Sequence, residues 1–437
     1  MYKLNLGLLA LILSFCAFGN EFSDSIETDY ENHLSALFDF FHRNPELSTI
    51  EHKTAKRMAE ELNQAGFEVT EGIGGTGVVA LMRNGKGPLV MVRADMDGLP
   101  IEEKTGLENA SITKQISPVT GEMVNTMHAC GHDVHITSLV GTARYMASKK
   151  NIWKGTLMLV VQPAEERGLG AIAMREDNIW KRFGTPDYVL AFHVNSLDVA
   201  GKININEGSP YAGVDTVDIV IHGIGAHGAH PYAGKDPIVL GSQIVLALQT
   251  LISRELSPRE PAVVTVGSFH SGTKHNIIPD KAHLQLTVRF TSFETRKILL
   301  DGIKRIAKNM GRAAGLPDNK LPEVFVSDEY APPTINNREL AVRLKAAWKK
   351  DLGDNRVIFN PSKGMSAEDF SFFTNDPYIK SVYWKVGGTF QKDFDIQAAG
   401  GKPVPSHHSA LFKIEPKPSI TTGIESTVVA LKTLMPK

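Results

Sequence analysis

The chain has 437 residues, a formal net charge of −1 and 42% hydrophobic residues. That length exceeds one ordinary domain and suits two, and the composition is that of a globular protein. Basic and acidic residues are interspersed, with no tandem repeat or low-complexity tract, which argues against a nucleic-acid partner or an anionic membrane surface.

Residues 1–19 read as a signal peptide: Lys3, an apolar run from Leu4 to Phe18, and a small-x-small site at Ala17-Phe18-Gly19. The run is shorter than the roughly 20 residues of a membrane span, and no other segment reads as one. Phe15 before Cys16 does not suit a lipoprotein signal. The mature chain is therefore expected to be exported, periplasmic or secreted, with no stable membrane insertion; an uncleaved anchor is the alternative.

Leu34, Leu37, Phe38 and Phe41 at helical spacing predict a helix over Glu27–Arg43, stopped by Asn44-Pro45. A second is expected over Glu51–Gln64, ending at Gly66. Apolar runs follow at Val78–Met82, Leu89–Val92, Leu157–Val161 and Val189–Phe192, with a helical stretch at Ile136–Ala147 between the second and third. Runs buried on both faces that alternate with helices predict an α/β fold, a mostly parallel sheet sandwiched by helices. Between 209 and 321 the order becomes β-α-β-β-α: Val214–Ile221, Ile238–Leu251, Ala262–Ser268, Ala282–Phe290 and Thr295–Arg312. That suits an α+β insert with an antiparallel sheet. The main body is then 20–208 and 322–437, with hinges at Gly208-Ser209-Pro210 and Gly315-Leu316-Pro317.

Once Cys16 leaves with the signal, Cys130 is the sole thiol and cannot form an intrachain disulfide. It lies in Met127-His128-Ala129-Cys130-Gly131-His132-Asp133, where its distance from His132 and a carboxylate is metal-ligand spacing. The alternative is a small buried hydrophobe. Three of the apolar runs lead into polar motifs: Arg93–Pro100 with Asp95 and Asp97, Gln162-Pro163-Ala164-Glu165-Glu166, and His193. In open α/β sheets, sites form beyond the carboxyl ends of strands, so these groups are expected at one edge. The late pair His407-His408 implies that the C-terminal stretch returns to the first domain.

In that order, Arg93–Pro100, His128–His135, Gln162–Glu166, His193, Gly225-Ala226-His227-Gly228 and His408 resemble a family of metal-dependent amidohydrolases. It includes hippurate hydrolase, N-acyl-amino-acid amidohydrolases and the plant hydrolases of auxin–amino-acid conjugates. Aminoacylase-1 and the glutamate carboxypeptidases are more distantly similar. The resemblance spans Tyr30 to the end. It implies a zinc-peptidase-like catalytic domain with an inserted dimerisation or lid domain, and two divalent metal ions per subunit. Cys130 would bridge the metals as thiolate, with His132, Glu166, His193 and His408 as the other ligands. Manganese or zinc is expected, and the donor set also admits cobalt or nickel.

The resemblance further implies Glu165 as the general base toward a metal-activated water. Asp97 would orient a metal ligand, Asp95 would lie near the site outside the ligand set, and His407 would pack beside it. In the insert, His227 would reach the substrate oxyanion, often in the partner's site, and Arg289 would bind the substrate carboxylate. Asn276 would be a polar contact, or alternatively a turn residue ahead of Pro279. A homodimer is expected. Where relatives read Ala-x-Pro-His after the lid histidine, this chain reads Ala229-His230-Pro231-Tyr232, which puts the acyl pocket in question. Glu368 and Asp369, in Gly364–Phe370, either shape the pocket or cap the following helix.

The expected activity is hydrolysis of the amide bond of small-molecule N-acyl amino acids or small peptides. An exported, metal-stabilised binding protein without turnover is the alternative, against which the intact Glu165 stands. Nucleophilic attack by Cys130 with His132 is a third reading, one sensitive to alkylation but not to chelation.

Overall fold

The computed structural model describes residues 21–361 and 364–437; the expected signal segment, residues 1–19, lies outside them. Two units are present. One comprises the chain up to Pro210 with Asn336–Pro361 and Phe372–Lys437, the other Tyr211–Ile335 with the segment that ends at Ser371.

In the first unit, residues 21–29 are helical and lead through a π turn, Tyr30–Leu34, into helix α1 (Ser35–Arg43). Leu34, Leu37, Phe38 and Phe41 are all buried. The helix stops at Asn44, because a residue preceding proline is disfavoured in helical backbone. Helix α2 (His52–Gln64) buries Ala55, Met58, Ala59 and Leu62, and ends where Gly66 takes a φ of +89°.

Strands β1 (Glu68–Ile73), β2 (Gly77–Asn84) and β3 (Leu89–Asp95) follow, then helix α3 (His132–Ser148) and strands β4 (Gly155–Gln162), β5 (Tyr188–Val199) and β6 (Ile203–Asn204). From Leu157 to Val161 every side chain of β4 is fully buried, as an apolar run covered on both faces requires. Helix α3 is likewise buried from His132 through Ala143.

The second unit opens with β7 (Gly213–His222), whose residues alternate between buried and half-buried along its whole length. Helix α4 (Pro237–Thr250) starts at Asp236, whose carboxylate accepts the N–H groups of Ile238 and Val239. Strands β8 (Ala262–Ser271) and β9 (Lys281–Phe290), helix α5 (Phe293–Ala313) and β10 (Glu323–Ala331) complete it. The sheet is antiparallel throughout, in the order β8-β9-β7-β10. Ile219, Ile221, Leu284 and Leu286 of the sheet share one core with Leu240, Ile244, Leu299 and Ile303 of the two helices.

Three expectations change here. The insert was expected to end at Leu321, but β10 pairs with β7, Val324 opposite Ile219, so the unit runs on to Ile335. Gly315 is no hinge: at φ +73° it ends α5, with Leu316 N–H returning to the Gly311 carbonyl (3.1 Å). The stretch Pro237–Glu255 is long and apolar enough, by composition, to cross a membrane; Leu240, Ile244, Leu248 and Leu251 are nonetheless buried in the core of this unit.

Back in the first unit, α6 (Arg338–Leu352), β11 (Val357–Ile358), β12 (Lys380–Thr389) and α7 (Pro416–Leu434) complete an eight-stranded sheet. Its order is β1-β2-β4-β3-β5-β12-β6-β11. The middle, β4-β3-β5-β12, is parallel; β1 and β2 join antiparallel at one side, and β6 runs antiparallel to β12 at the other. Helices α3 and α7 approach closely at glycines: a Cβ on Gly141 would lie 2.3 Å from Ile424 Cδ1, and one on Gly423 2.8 Å from Ser138 Oγ.

Trp348 of α6 is fully buried, donates its indole N–H to the Ser426 carbonyl (2.8 Å) and lies 5.2 Å from the Trp384 ring. Trp348→Ala should cost the first unit about 3–5 kcal/mol. A lowered urea midpoint at unchanged slope would show it.

Candidate metal centre

The carboxyl ends of β3 and β4 and the middle of β5 supply the site. β3 ends in Arg93-Ala94-Asp95, with Asp97 two residues on; β4 ends at Gln162, ahead of the turn holding Glu165 and Glu166. His193 was expected just past a strand ending at Phe192, but β5 continues to Val199 because β12 pairs alongside it. Cys130 precedes α3, and Gly131 between them has a φ of +84°. A Cβ on Gly131 would lie 2.4 Å from Val194 Cγ1, so glycine is what lets the loop close on β5.

Six groups converge. Cys130 Sγ lies 3.4 Å from His193 Nε2. His408 Nε2 is 3.3 Å from Glu166 Oε2, and His132 Nε2 is 3.8 Å from Glu166 Oε1 and 3.9 Å from Glu165 Oε2. Donor atoms of Cys130, Glu166 and His408 lie within 4.8 Å of one another, as do those of His132, Glu165 and Glu166. Glu166 thus joins two neighbouring clusters, one of them containing the sulfur.

Hydrogen bonds on the far side of each ring fix which nitrogen faces inward. His132 Nδ1–H donates to the Asp97 carbonyl (2.9 Å) and His193 Nδ1–H to the Val194 carbonyl (2.6 Å), which leaves each Nε2 lone pair toward the cluster. His407 is the reverse case: its Nε2 accepts the Ser196 N–H (3.3 Å), so the proton is on Nδ1, 3.7 Å from Cys130 Sγ. His407 is therefore a donor toward sulfur. His408, at φ +63°, is anchored by its own N–H to the Ala129 carbonyl (2.9 Å).

Asp95, His132 and His135 also lie close together, but hydrogen bonds account for that cluster. His135 donates Nδ1–H to Asp95 Oδ1 (2.5 Å) and accepts the Val194 N–H at Nε2 (2.8 Å); Arg93 donates to Asp95 Oδ2 (2.6 Å). Burial opposes ionisation of Asp95, yet Arg93, His132 and His135 hold its carboxyl well below the usual range. Asp97 accepts the Ser48 hydroxyl (2.6 Å) and the Glu166 N–H (3.0 Å) on Oδ2, so one residue positions both His132 and Glu166.

Among the described residues, His132 Nε2 and Glu166 Oε1 are buried with no hydrogen-bond partner. Orphaned buried polar atoms are costly, and a divalent cation between an imidazole lone pair and a carboxylate oxygen satisfies both. The thiol points the same way. Burial and the charges of Glu166, Glu165 and Asp95 push Cys130 well above its ordinary range; adjacent cations reverse that balance and give a thiolate. Burial opposes a proton on His132, but Asp95 and Asp97 outweigh it and raise the imidazole to about 10. A metal at Nε2 must displace that proton.

The remaining predicted residues lie in the second unit. His227 is exposed, pairs in register with Ile277, and accepts the Ala229 N–H at Nδ1 (3.0 Å). Asn276 is beside it, its carbonyl accepting the Gly228 N–H (2.8 Å). Arg289, on β9, is half-buried with Nε bonded to Thr287 Oγ1 (3.1 Å), and among the described residues no carboxylate pairs with it. The His230 ring lies 5.1 Å from that of His227, while Tyr232 is exposed. Glu368 Oε1 accepts the Phe370 N–H (3.1 Å), the capping alternative of the sequence.

Sequence reasoning assigned no part to Arg93, His135 or Ser48. Arg93 and Asp95 are two apart on a strand and so share a face, a signal that could have found the pair. Ser48 reaches Asp97 from a distant loop and left none.

A family model described as Peptidase family M20/M25/M40 matches residues 91–393. Hippurate hydrolase of Campylobacter jejuni subsp. jejuni is 37% identical over 346 residues, 79% of this chain and 86% of that one. N-acetyl-L-cysteine deacetylase of Bacillus subtilis is 35% identical over 78% of each chain. Among solved structures, Bacillus subtilis YxeP, described as a dinuclear metal binding peptidase from the M20 family, superposes with a TM-score of 0.74 at 26% identity. The match covers 93% of this chain and 98% of that one.

Beneath the first turn of α3, His42 Nδ1 bonds Asp133 Oδ2 (2.7 Å) and its Nε2 lies 3.4 Å from Glu103 Oε1. Burial disfavours the charged ring, but the bond to Asp133 and the nearby Glu103 carboxylate prevail and raise it from 6.5 to about 10. A pKa raised by folding stabilises fully below the unfolded value and is lost as pH rises through the folded one. The stability difference between wild type and His42→Gln should therefore be largest below pH 6.5 and shrink toward pH 10. Urea titrations across that range check it.

Proposed function

The chain belongs to peptidase family M20/M25/M40, and from that premise we propose how its residues divide the chemistry. The protein is a metal-dependent amidohydrolase that uses two divalent metal ions and acts on small amide substrates. Cys130, His132, Glu166, His193 and His408 would hold the metals, Cys130 as thiolate. The observation that carries this assignment is the pair of orphaned buried atoms, His132 Nε2 and Glu166 Oε1, 3.8 Å apart beside the cysteine. Cations held there would supply acidification of a water and polarisation of the amide carbonyl.

Glu165 is the general base. Its neighbour Glu166 is committed to the metals, whereas Glu165 can take the water's proton and pass it to the departing amine nitrogen. Asp97 positions His132 and the turn carrying both glutamates. On the family resemblance we assign His227 to the substrate oxyanion, Asn276 to a polar substrate contact and Arg289 to the substrate α-carboxylate. Among the described residues no carboxylate pairs with this half-buried guanidinium, which supports the last of these. The substrates we propose are N-acyl amino acids or small peptides with a free α-carboxylate. The resident metal is manganese or zinc, with cobalt or nickel compatible with the same donors.

Cysteine-nucleophile hydrolysis is disfavoured, because burial and the charges of Glu166, Glu165 and Asp95 push the Cys130 thiol up, away from the thiolate that would attack. From the leader-like residues 1–19 we propose export to the periplasm or beyond. We also propose a homodimer formed through the second unit. Its support is an edge strand, β8, together with exposed Ile238, Val239 and Leu246 on α4 and Phe269 on β8. Leu246→Lys should shift light-scattering mass toward the monomer if this face is the interface; an unchanged dimer would place the interface elsewhere.

Activity on a pool of N-acyl amino acids and dipeptides should vanish on chelation and return with Mn²⁺ or Zn²⁺. Survival of turnover in metal-free protein would refute the metal assignment. Glu165→Gln should lower kcat by roughly 10²–10⁴-fold, with metal content by elemental analysis unchanged.

A further inference from the structure

Glu51 is fully buried at the start of α2 and has no part in the chemistry above. Both oxygens of its carboxylate accept hydrogen bonds. Oε1 accepts the Ala164 N–H (2.8 Å) and the Thr49 N–H (2.9 Å), and Oε2 accepts the Thr76 hydroxyl (2.6 Å).

The Ala164 bond reaches the reaction. Ala164 has a φ of +48° and immediately precedes Glu165. An alanine in left-handed backbone is strained and persists only where its surroundings hold it. One residue beyond Glu165, the Glu166 N–H is bound by Asp97 (3.0 Å). Glu165 thus lies between two amides, each gripped by a buried carboxylate, and its backbone cannot turn without breaking one of them. The turn is closed from behind as well: the Ala164 carbonyl accepts Leu169 and Gly170 N–H at 3.1 and 3.2 Å. A Cβ on Gly170 would come within 1.6 Å of the Pro163 oxygen.

We propose that Glu51 is a positioning residue for the general base, holding the left-handed turn at Ala164 so that the Glu165 carboxylate is aimed at the water. The proposal rests on the assignment of Glu165 as base. It acts through acceptor oxygens and their placement, since a neutral carboxyl presents the same carbonyl oxygen to the Ala164 and Thr49 amides while its O–H meets Thr76. Burial and the charge of Asp97 push the Glu51 carboxyl up to about 7, in keeping with an acceptor whose charge is dispensable.

Two conservative variants separate position from charge. Glu51→Asp keeps the charge but withdraws it by one methylene from the Ala164 amide. Glu51→Gln discards the charge and keeps the oxygen in reach. Misplacement of a catalytic group by about 1 Å can cost on the order of 100-fold, so Glu51→Asp should lose roughly 10- to 100-fold in kcat. KM and the content of two metals should hold, and Glu51→Gln should recover most of the loss. A purely structural role predicts instead that metal content, KM and thermal stability fall together with kcat, and that Gln rescues nothing. That pattern, or wild-type kcat in Glu51→Asp, overturns the proposal. Glu165→Gln is assayed alongside: wild-type turnover there overturns the base assignment itself, whereas an inactive Glu165→Gln beside a fully active Glu51→Asp overturns only the role of Glu51.

Discussion

The first unit is organised around a concentration of negative charge, part of it buried. Asp95, Asp97, Glu165 and Glu166 meet at one end of the sheet, together with a buried thiol. Arg93, a permanent side-chain cation, is bonded to Asp95 in this group. Burying unpaired carboxylates costs several kcal/mol each. The fold answers in two ways: Asp95 is balanced by Arg93 and His135, and Glu166 is left facing an imidazole lone pair and a sulfur. The first carboxylate is thereby held in ion pairs, while the second keeps an oxygen that, among the described residues, has no hydrogen-bond partner.

The same division governs the histidines. Carbonyl groups of Asp97 and Val194 hold protons on the outer nitrogens of His132 and His193, so that their inner nitrogens are basic. An amide of Ser196 reverses the arrangement at His407 and turns a proton toward the sulfur. Neighbouring imidazoles of identical chemistry thus turn a lone pair or a proton inward according to which backbone group lies behind them. Backbone geometry, set by strand register and by the end of α3, distributes the roles.

The sheet and the motifs were legible because both are local. Runs such as Leu157–Val161 are apolar throughout, and Cys130, His132, Glu165 and Glu166 sit within a few residues of one another in two short motifs. What escaped depends on distant partners. Helix α3 begins at His132, four residues before its expected start at Ile136, because its polar first turn is buried by contacts with Asp95, Asp97 and His42. The end of β5 was hidden by Asn195, Ser196 and Asp198; Asp198 accepts bonds from Asn195, Asn204 and Asn360. Strand β10 carries too weak an alternation to be read without β7 beside it. Ser48 and Glu51 are partnered across 49 and 113 residues of sequence, a relation no spacing rule contains.

The strand β12 lies in the middle of the sheet, hydrogen-bonded to β5 along its length, yet it is made almost last. While the chain is being synthesised, β5 presents an open, strongly apolar edge from the time it emerges until residues beyond Thr389 are available. The intervening second unit can close its own antiparallel sheet during that interval, since all its strands precede β12. The first unit must wait, with a long loop still to be closed. An unpaired central edge is the kind of surface on which nascent chains aggregate or recruit chaperones. Truncated chains would keep that edge for good, so the position of β12 makes loss of the C-terminal segment a matter of solubility as well as of the absent His408.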